Sequence, residues 1–374
     1  MSEQKQGITS ELHRGKWAQP GSVMDDLDCI EVSIAVPNLQ KTMGELKEYL
    51  GMVPYYVSDV IHAQDNVLYG KPNPGPYIKL AMYQTGPASS PGALRFELLE
   101  PCGGNSVYQE FLDTKGIGVN HIGFRPRNGR SQDDRIKWLE SRGMPHICRQ
   151  PSSAFSGWHS NAYYDTLEML GFWWETVDPR EYSEEEKKAA LEAKGSQRVF
   201  AELHLGDWGQ PGSIMDDLEM MEISIAVWDM EKTMKQLKDC FNMVPYFVSP
   251  VYEMPDNIYR GKPNSGSKIR IAFYQTGLAS KPGPIRFELL QPCGGKSVYQ
   301  DSLDLKGQGV THLGFKPRNG KSQDERIKWA EARGMTIATR QPSSALSGWV
   351  DNVYYDTLQM LGFFIETVEP RKDT

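Results

Sequence analysis

The sequence carries one long segment twice, at a separation of 191 positions. The stretch IEVSIAV, which begins at Ile30, returns as MEISIAV, and the alignment runs without a gap from 13–175 onto 204–366. A tandem duplication of this length constrains the fold strongly, because both copies must form the same structure. We therefore expect the following division: a first domain over 1–179, a helical connector over 180–199 and a second domain over 200–374.

Composition excludes several classes of protein. With 39% hydrophobic and 24% charged residues among 374, the chain is typical of a globular protein with sizeable cores. A net charge of −7 without a basic block argues against nucleic acid as a partner. No apolar run approaches a membrane span, and the first residues lack the apolar segment of a signal peptide, so we expect a cytoplasmic location. The five scattered cysteines indicate free thiols.

Each copy contains the same order of secondary structure twice. In IEVSIAV, apolar residues alternate with small or polar ones, which predicts a strand with one apolar face. A helical stretch and strands near 53–58, 77–83 and 94–100 follow, and after a short helix the order restarts at 119–125. The chain is thus predicted to be an α+β protein with four βαβββ modules in two pairs. Each pair should form a curved mixed sheet around a cavity with helices outside, and the halves should pack as a pseudo-dimer.

The polar faces of these strands collect the same residue types in both copies. The predicted cluster is Glu31, Glu97, His121 and Glu175 in the first domain and Glu222, Glu288, His312 and Glu366 in the second. Three carboxylates in one cavity repel one another unless a cation lies between them. We therefore predict one divalent metal ion per domain, with manganese, cobalt, nickel, zinc and magnesium all compatible with an oxygen-rich shell.

A structural explanation of the same residues stays open. A single glutamate on a strand usually faces solvent, and a single buried histidine is usually a core residue with satisfied hydrogen bonds. Arg95 and Arg286 could also neutralise a carboxylate directly, as structural ion pairs. The placement of all four residues on first and fourth strands of the modules favours the metal site.

Two segments resemble the vicinal oxygen chelate superfamily, which includes glyoxalase I, epimerases, extradiol dioxygenases and bleomycin-resistance proteins. The run FELLEPCGGNSVYQEFLDTKGIGVNHIGF at 96–124 and the run NAYYDTLEMLGFWWETVDP at 161–179 are most similar to methylmalonyl-CoA epimerase. The resemblance implies that Glu97, His121 and Glu175 are metal ligands. Glu31 departs from the epimerases, which have histidine there, and is closer to the Gln-Glu-His-Glu shell of eukaryotic glyoxalase I.

The resemblance implies an isomerase or epimerase, or a mechanistically related lyase. The metal would bind a carbonyl oxygen and stabilise an enolate, while a carboxylate removes the adjacent proton. Glu175 and Glu366 are the expected bases, with Glu31 and Glu222 as their partners. Two alternatives remain: a metal-free binding protein of the bleomycin-resistance type, and a ring-cleaving dioxygenase, whose two-histidine, one-carboxylate iron site this set does not match.

The expected partner is a small-molecule substrate. The residues predicted to contact it are Arg95, Arg286, Trp173, Phe364, Trp158 and Trp349. An aromatic lining suits a planar or apolar substrate, whereas arginine, helped by Lys79 or Arg270, would suit an anionic group. A CoA thioester, a glutathione adduct and an aromatic ketone all remain open, and the aromatic residues favour the ketone.

Overall fold

The fold was analysed in a computed structural model. It describes residues 21–25, 27–63, 66–85, 94–126, 130–153, 158–179, 183, 185, 208–254, 257–275, 285–318, 321–342 and 349–370. Most of the predicted connector and most of the two loops that precede Trp158 and Trp349 lie outside these residues.

The first half contains eleven strands and four α-helices among its described residues. The strands are β1 Leu27–Ala35, β2 Tyr56–Val57, β3 Ile61–His62, β4 Asn66–Leu68, β5 Lys71–Asn73, β6 Tyr77–Thr85, β7 Leu94–Gly103, β8 Gly118–Pro126, β9 His146–Ser153, β10 Trp158–Tyr164 and β11 Trp173–Pro179. The helices are α1 Leu39–Glu45, which continues as a π-helical turn over Leu46–Leu50, α2 Val107–Lys115, α3 Gln132–Glu140 and α4 Leu167–Leu170.

The second half repeats this order. Its strands are β12 Leu218–Ala226, β13 Phe247–Val248, β14 Tyr252–Met254, β15 Asn257–Tyr259, β16 Lys262–Asn264, β17 Ser267–Gln275, β18 Arg286–Gly294, β19 Gly309–Pro317, β20 Ile337–Pro342, β21 Trp349–Tyr355 and β22 Phe364–Pro370. Its helices are α5 Met230–Phe241, α6 Val298–Lys306, α7 Gln323–Glu331 and α8 Leu358–Leu361. Within the described residues, no helix is both long and apolar enough to span a membrane.

Each half forms one curled, mixed sheet. In the first, the strand order is β2-β6-β7-β1-β8-β11-β10-β9-β4-β5, with β3 beside β6. In the centre of the sheet, β7 pairs with β1 and β8 pairs with β11 in parallel. The two pairs meet where β1 runs antiparallel to β8. Because β3 and β4 pair with opposite ends of the sheet yet follow each other closely in sequence, the sheet must curl around a cavity. The predicted α+β fold and its four βαβββ modules are confirmed.

The two halves share one hydrophobic core. Side chains that alternate with the acidic face of β1, among them Val32 and Ile34, join a cluster that contains residues of both halves. The ring of Trp174 stacks on that of Phe124, with centroids 4.2 Å apart. Its centroid also lies 5.2 Å from that of Phe241 in the second half. Burial of apolar side chains between the two sheets stabilises the two halves as a unit. The arrangement fits the intramolecular pseudo-dimer predicted from the duplication.

Symmetric contacts mark the axis that relates the halves. Lys115 Nζ donates to the carbonyl oxygen of Lys306 at 3.3 Å, and Lys306 Nζ donates to that of Lys115 at 2.8 Å. Gly171, with φ +77°, packs so closely on Gln308 that a Cβ atom there would overlap its carbonyl oxygen. Side chain and backbone therefore meet across the axis with little space between them.

Helix α2 occupies a position that the sequence analysis did not anticipate. Residues of α1 and α3 belong to the shared core, on the side of the sheet away from the cavity. In contrast, Phe111 of α2 packs edge-on against Trp173 at 5.8 Å, on the concave face. One helix per half thus closes an end of the cavity, while the others lie outside.

Candidate metal centre

The central strands bring the four predicted ligands of the first half together. Ser33 on β1 is in register with Glu97 on β7 and with His121 on β8, and Glu175 on β11 is in register with Gly123 on β8. His121 Nε2 lies 3.2 Å from Glu31 Oε1, 3.5 Å from Glu175 Oε2 and 3.9 Å from Glu97 Oε2. One imidazole nitrogen therefore faces three carboxylates.

These distances suit a metal ion better than hydrogen bonds alone. None of the four residues is more than 6% exposed, so water does little to screen their charges. Burial lowers the pKa of His121, which favours the neutral imidazole that a metal requires. A protonated Nε2 could donate to only one of the carboxylates. Ligand atoms about 2.0–2.2 Å from an ion lie about 3.0–3.5 Å apart at neighbouring positions, close to the spacing here.

Each carboxylate has a further partner that orients it. Ser33 Oγ donates to Glu97 Oε2 at 2.7 Å, and Asn161 Nδ2 donates to Glu175 Oε1 at 2.7 Å. The Arg95 guanidinium forms an ion pair with Glu31 Oε2. Outer contacts of this kind fix the geometry of metal ligands.

The ion pair also answers the structural alternative. Arg95 neutralises one carboxylate, so its contact with Glu31 is the structural ion pair that the sequence left open. The remaining two carboxylates of the cluster meet the neutral side chains of Ser33 and Asn161. A buried excess of about two negative charges is unfavourable, and a divalent cation would balance it. The donor set therefore fits such an ion.

The second half reproduces the centre. His312 Nε2 lies 3.3 Å from Glu222 Oε1, 3.7 Å from Glu288 Oε2 and 3.5 Å from Glu366 Oε2. Ser224 Oγ donates to Glu288 Oε2 at 2.6 Å, and Arg286 pairs with Glu222. In each half, at least three of these groups offer ligand atoms within 4.8 Å of one another.

The acidic groups of the second centre show the cost of crowding without a cation. Burial and the charge of Glu222 raise the pKa of Glu288 to about 8, and the same causes raise the pKa of Glu366 well above its ordinary value. Although burial opposes its ionisation, Arg286 and His312 lower the pKa of Glu222. Burial lowers the pKa of His312. A metal ion would reverse the unfavourable ionisation of Glu288 and Glu366.

A glycine leaves room for the cluster. Gly123 stands in register between Glu31 on β1 and Glu175 on β11. A Cβ atom at Gly123 would lie 2.8 Å from Glu175 Oε2 and 3.2 Å from the Cβ of Glu31. Gly314 has the same surroundings in the second half, where a Cβ atom would lie 2.9 Å from Glu366 Oε2. Any larger residue would displace the carboxylates.

A cavity opens beside the second centre and encloses about 470 Å³ of space between protein atoms, part of it open to solvent. Its walls combine the acidic cluster with aromatic and amide side chains. The lining residues are Glu222, Tyr252, Met254, Ile269, Ile271, Phe273, Arg286, Glu288, Leu290, Tyr299, Gln341, Trp349, Asn352, Tyr354 and Glu366.

The predicted substrate residues have different positions. Trp349 lines the cavity, whereas Phe364 is fully buried in the neighbouring apolar cluster. Trp173 packs on α2 and is 1% exposed. Trp158 is the first residue of β10, and its side chain is not among those that the structure describes. Arg95 pairs with Glu31 and Arg286 with Glu222, so both contact candidate ligand carboxylates.

Sequence reasoning missed several residues of the site. These are the oriented partners Ser33 and Asn161 and the buried tyrosines Tyr108 and Tyr163, with their equivalents 191 positions later. Each is identical in the two copies, and this identity was the signal available in the sequence. Hydroxyl and amide side chains are common in strands, so their role emerges only from contacts.

Comparison with known families identifies the class. The sequence profile of the Glyoxalase/Bleomycin resistance protein/Dioxygenase superfamily matches residues 31–163 and 221–350, one segment in each copy. These segments make up more than half of the chain, which therefore belongs to this superfamily. The resemblance expected from the sequence is confirmed. Comparison with proteins of curated description gives no match.

A solved structure shares the architecture. A triply substituted mutant of 4-hydroxymandelate synthase from Streptomyces coelicolor matches with a TM-score of 0.54 at 12% sequence identity, covering 92% of each chain. This similarity shows the same fold over both halves. Methylmalonyl-CoA epimerase in complex with methylmalonyl-CoA and ammonium covers 41% of this chain and 95% of its own, at 20% identity and a TM-score of 0.31.

Proposed function

We propose that the protein is a divalent-metal-dependent isomerase or epimerase, or a related lyase, that removes a proton next to a carbonyl group. The observation that carries this proposal is the repeated cluster of three carboxylates around one neutral imidazole, buried beside a cavity in the second half. The candidate ligands of the first ion are Glu31, Glu97, His121 and Glu175, and those of the second are Glu222, Glu288, His312 and Glu366.

The chain supplies the base and its orientation. A bound divalent cation would supply positive charge for a carbonyl oxygen, which makes the neighbouring C–H bond more acidic. Glu175 would take this proton, since Asn161 holds its Oε1 while Oε2 faces His121. Glu31 pairs with Arg95 and faces the same His121 nitrogen as Glu175. It is therefore the candidate partner that returns a proton. Return to the other face gives epimerisation, and return to the neighbouring carbon gives isomerisation.

The cavity supports an aromatic or apolar ketone. Phe273, Tyr252 and Trp349 line it together with aliphatic side chains. Among the described lining residues the one basic side chain, Arg286, already pairs with Glu222, so these residues offer a substrate anion no unpaired cation. Arg270 pairs with Glu231 and stands between Ile269 and Ile271, which face the cavity. This distribution argues against a CoA or glutathione group held by charge inside the cavity.

The test is exchange of the α-protons of acetophenone in deuterium oxide, followed by NMR with the manganese-loaded protein. We expect exchange above the rate with free Mn²⁺, and loss of at least about hundredfold in Glu175→Gln/Glu366→Gln, as for removal of a general base. The control is Glu100→Gln, because the second copy already has Gln291 at this position, where it makes the equivalent contact with a helix N-terminus. Binding of acetophenone without metal or exchange would instead support the metal-free binding protein.

A further inference from the structure

A row of neutral polar side chains runs along the cavity wall away from the second metal centre. Gln341 Nε2 donates to the hydroxyl of Tyr299 at 3.2 Å, and the hydroxyls of Tyr299 and Tyr354 lie 2.9 Å apart. These three residues and Asn352 all line the cavity. The ring of Tyr354 stands edge-on to that of His312, with centroids 5.0 Å apart. The row thus runs from the second candidate centre into the cavity.

The first half carries the same row. Gln150 Nε2 donates to Tyr108 at 3.4 Å, Tyr108 and Tyr163 lie 2.9 Å apart, and Asn161 Nδ2 lies 3.4 Å from the Tyr163 hydroxyl. The ring of Tyr163 stands edge-on to that of His121, with centroids 5.0 Å apart. The row is therefore in direct contact with the metal centre in both halves.

The hydrogen bonds of the row leave capacity unused. In the first half, each hydroxyl oxygen of the pair accepts an amide hydrogen, and one hydroxyl donates to the other. Among the described contacts of Tyr108 and Tyr163, the second hydroxyl hydrogen has no acceptor. In the second half, Asn352 Oδ1 is buried without a hydrogen-bond partner, although its residue is only 5% exposed. Because Asn352 lines the cavity, its unpartnered oxygen could accept a hydrogen bond from a group that enters there.

We propose that the two rows bind a second, uncharged oxygen of the substrate, so that the substrate is a neutral hydroxyketone. A substrate hydroxyl group could accept from the tyrosine O–H that is unused in the first half and could donate to Asn352 Oδ1, which is unpartnered in the equivalent row of the second half. The row lies close to the candidate base Glu175, because the Asn161 amide hydrogen-bonds to both Tyr163 and Glu175. The oxygen therefore belongs on a carbon near the carbonyl. This inference rests on the proposed function for the position of the carbonyl.

The experiment compares the binding of three probes by ligand-observed saturation-transfer NMR, which needs neither metal nor turnover. The probes are acetophenone, its α-hydroxy derivative phenacyl alcohol, and the anion benzoylacetate. One additional neutral hydrogen bond is worth about 0.5–1.5 kcal/mol, so we expect phenacyl alcohol to bind about two- to twelvefold more tightly than acetophenone. We expect benzoylacetate to bind more weakly than phenacyl alcohol.

Variants assign the preference to the row. In Tyr163→Phe/Tyr354→Phe, the advantage of phenacyl alcohol should disappear while acetophenone binds as before. The control is Tyr164→Phe/Tyr355→Phe, which removes neighbouring buried hydroxyls that bond Thr176 and Thr367 in the core, outside the cavity. This control should retain the preference.

The results separate the two proposals. Equal binding of both ketones, a preference unchanged in Tyr163→Phe/Tyr354→Phe, tighter binding of benzoylacetate or failure of both ketones to bind would each overturn the hydroxyl subsite. If the preference follows the tyrosines but α-proton exchange is absent, the subsite stands and the proposed enzymatic function fails.

Discussion

The two halves keep the same candidate ligands but differ in the walls around them. In the second half, Phe273 lies under Arg286, with the guanidinium carbon 4.5 Å from the ring centroid, and Tyr252 and Met254 continue the wall. The equivalent residues of the first half are Met82, Ile61 and Ala63, none of which is aromatic. Duplication has thus preserved the charged centre and changed the apolar surface. We therefore expect the two halves to differ in which apolar ligands they bind.

The largest expected effect is loss of one metal ion per altered half. Wild-type protein purified without an affinity tag should contain about two divalent ions per chain, measured by mass spectrometry. Glu97→Gln and Glu288→Gln should each contain about one, and the double variant none, because each removes a charged ligand from a separate centre. Glu100→Gln should retain both. Two ions in the double variant would show that these glutamates are not ligands.

Alanine at the central glycine should empty the centre of its own half. In Gly123→Ala, the added Cβ would lie 2.8 Å from Glu175 Oε2, so the carboxylates must separate. We expect the loss of one ion and a decrease of about 1–3 kcal/mol in the free energy of unfolding. Gly44→Ala is the control, since its Cβ meets nothing within 4 Å and the residue lies in helix α1. Unchanged metal content in Gly123→Ala would contradict the assigned geometry.

Metal binding to the second centre should release protons. The pKa of Glu288 is raised from 4.5 to about 8, so this carboxyl is protonated at neutral pH without metal. Metal affinity in Glu97→Gln, which isolates this centre, should rise with pH by up to about tenfold per unit until about pH 8. Because the folded pKa is the higher one, the metal-free form should lose stability over the same rise. Calorimetry in buffers of different ionisation enthalpy measures the protons released.

Exchange of the wall residues between the halves should also exchange their affinities for an aromatic ketone. Phe273→Met in the Glu97→Gln background should weaken acetophenone binding by about three- to tenfold, since aromatic contacts contribute about 0.5–1.5 kcal/mol. Met82→Phe in the Glu288→Gln background should strengthen it by a similar factor. NMR titration measures both. If neither exchange alters binding, the walls do not explain any preference between the halves.

The smallest effect concerns the symmetric lysines. Lys115→Met and Lys306→Met should each lower the free energy of unfolding by roughly 1 kcal/mol, the usual worth of such hydrogen bonds. Lys137→Met, at an exposed position on α3, serves as the control in denaturant titrations. Losses that differ strongly between the two lysines would show that the interface is less symmetric than its contacts.

Much of the fold followed from repeated local patterns. Alternation in β1 placed Val32 on the apolar face and Glu31 on the acidic one, and the structure confirms both positions. The same reasoning located Glu97, His121 and Glu175 on one surface, because side-chain direction in a strand depends only on sequence parity. Position along that surface depends on strand order and register, which the sequence expresses weakly.

Contacts between distant segments account for what the sequence analysis could not predict. Arg95 was compatible with either a substrate anion or a ligand carboxylate, and the parallel register of β7 with β1 decided for Glu31. Trp173 reads as a cavity residue from its strand position, yet α2 covers it. Both outcomes depend on which element packs on the concave face.

By itself, the sequence determined the duplication, the α+β modules and the residue types of the candidate centre, since these depend on local periodicity and on comparison of two copies. Tertiary structure alone decided that the sheets curl around a cavity, that one core joins the halves, and that Arg95 pairs with Glu31. The physical reason is that charge balance and cavity shape depend on atoms brought together from segments far apart in the chain, and a one-residue change of register would place them elsewhere.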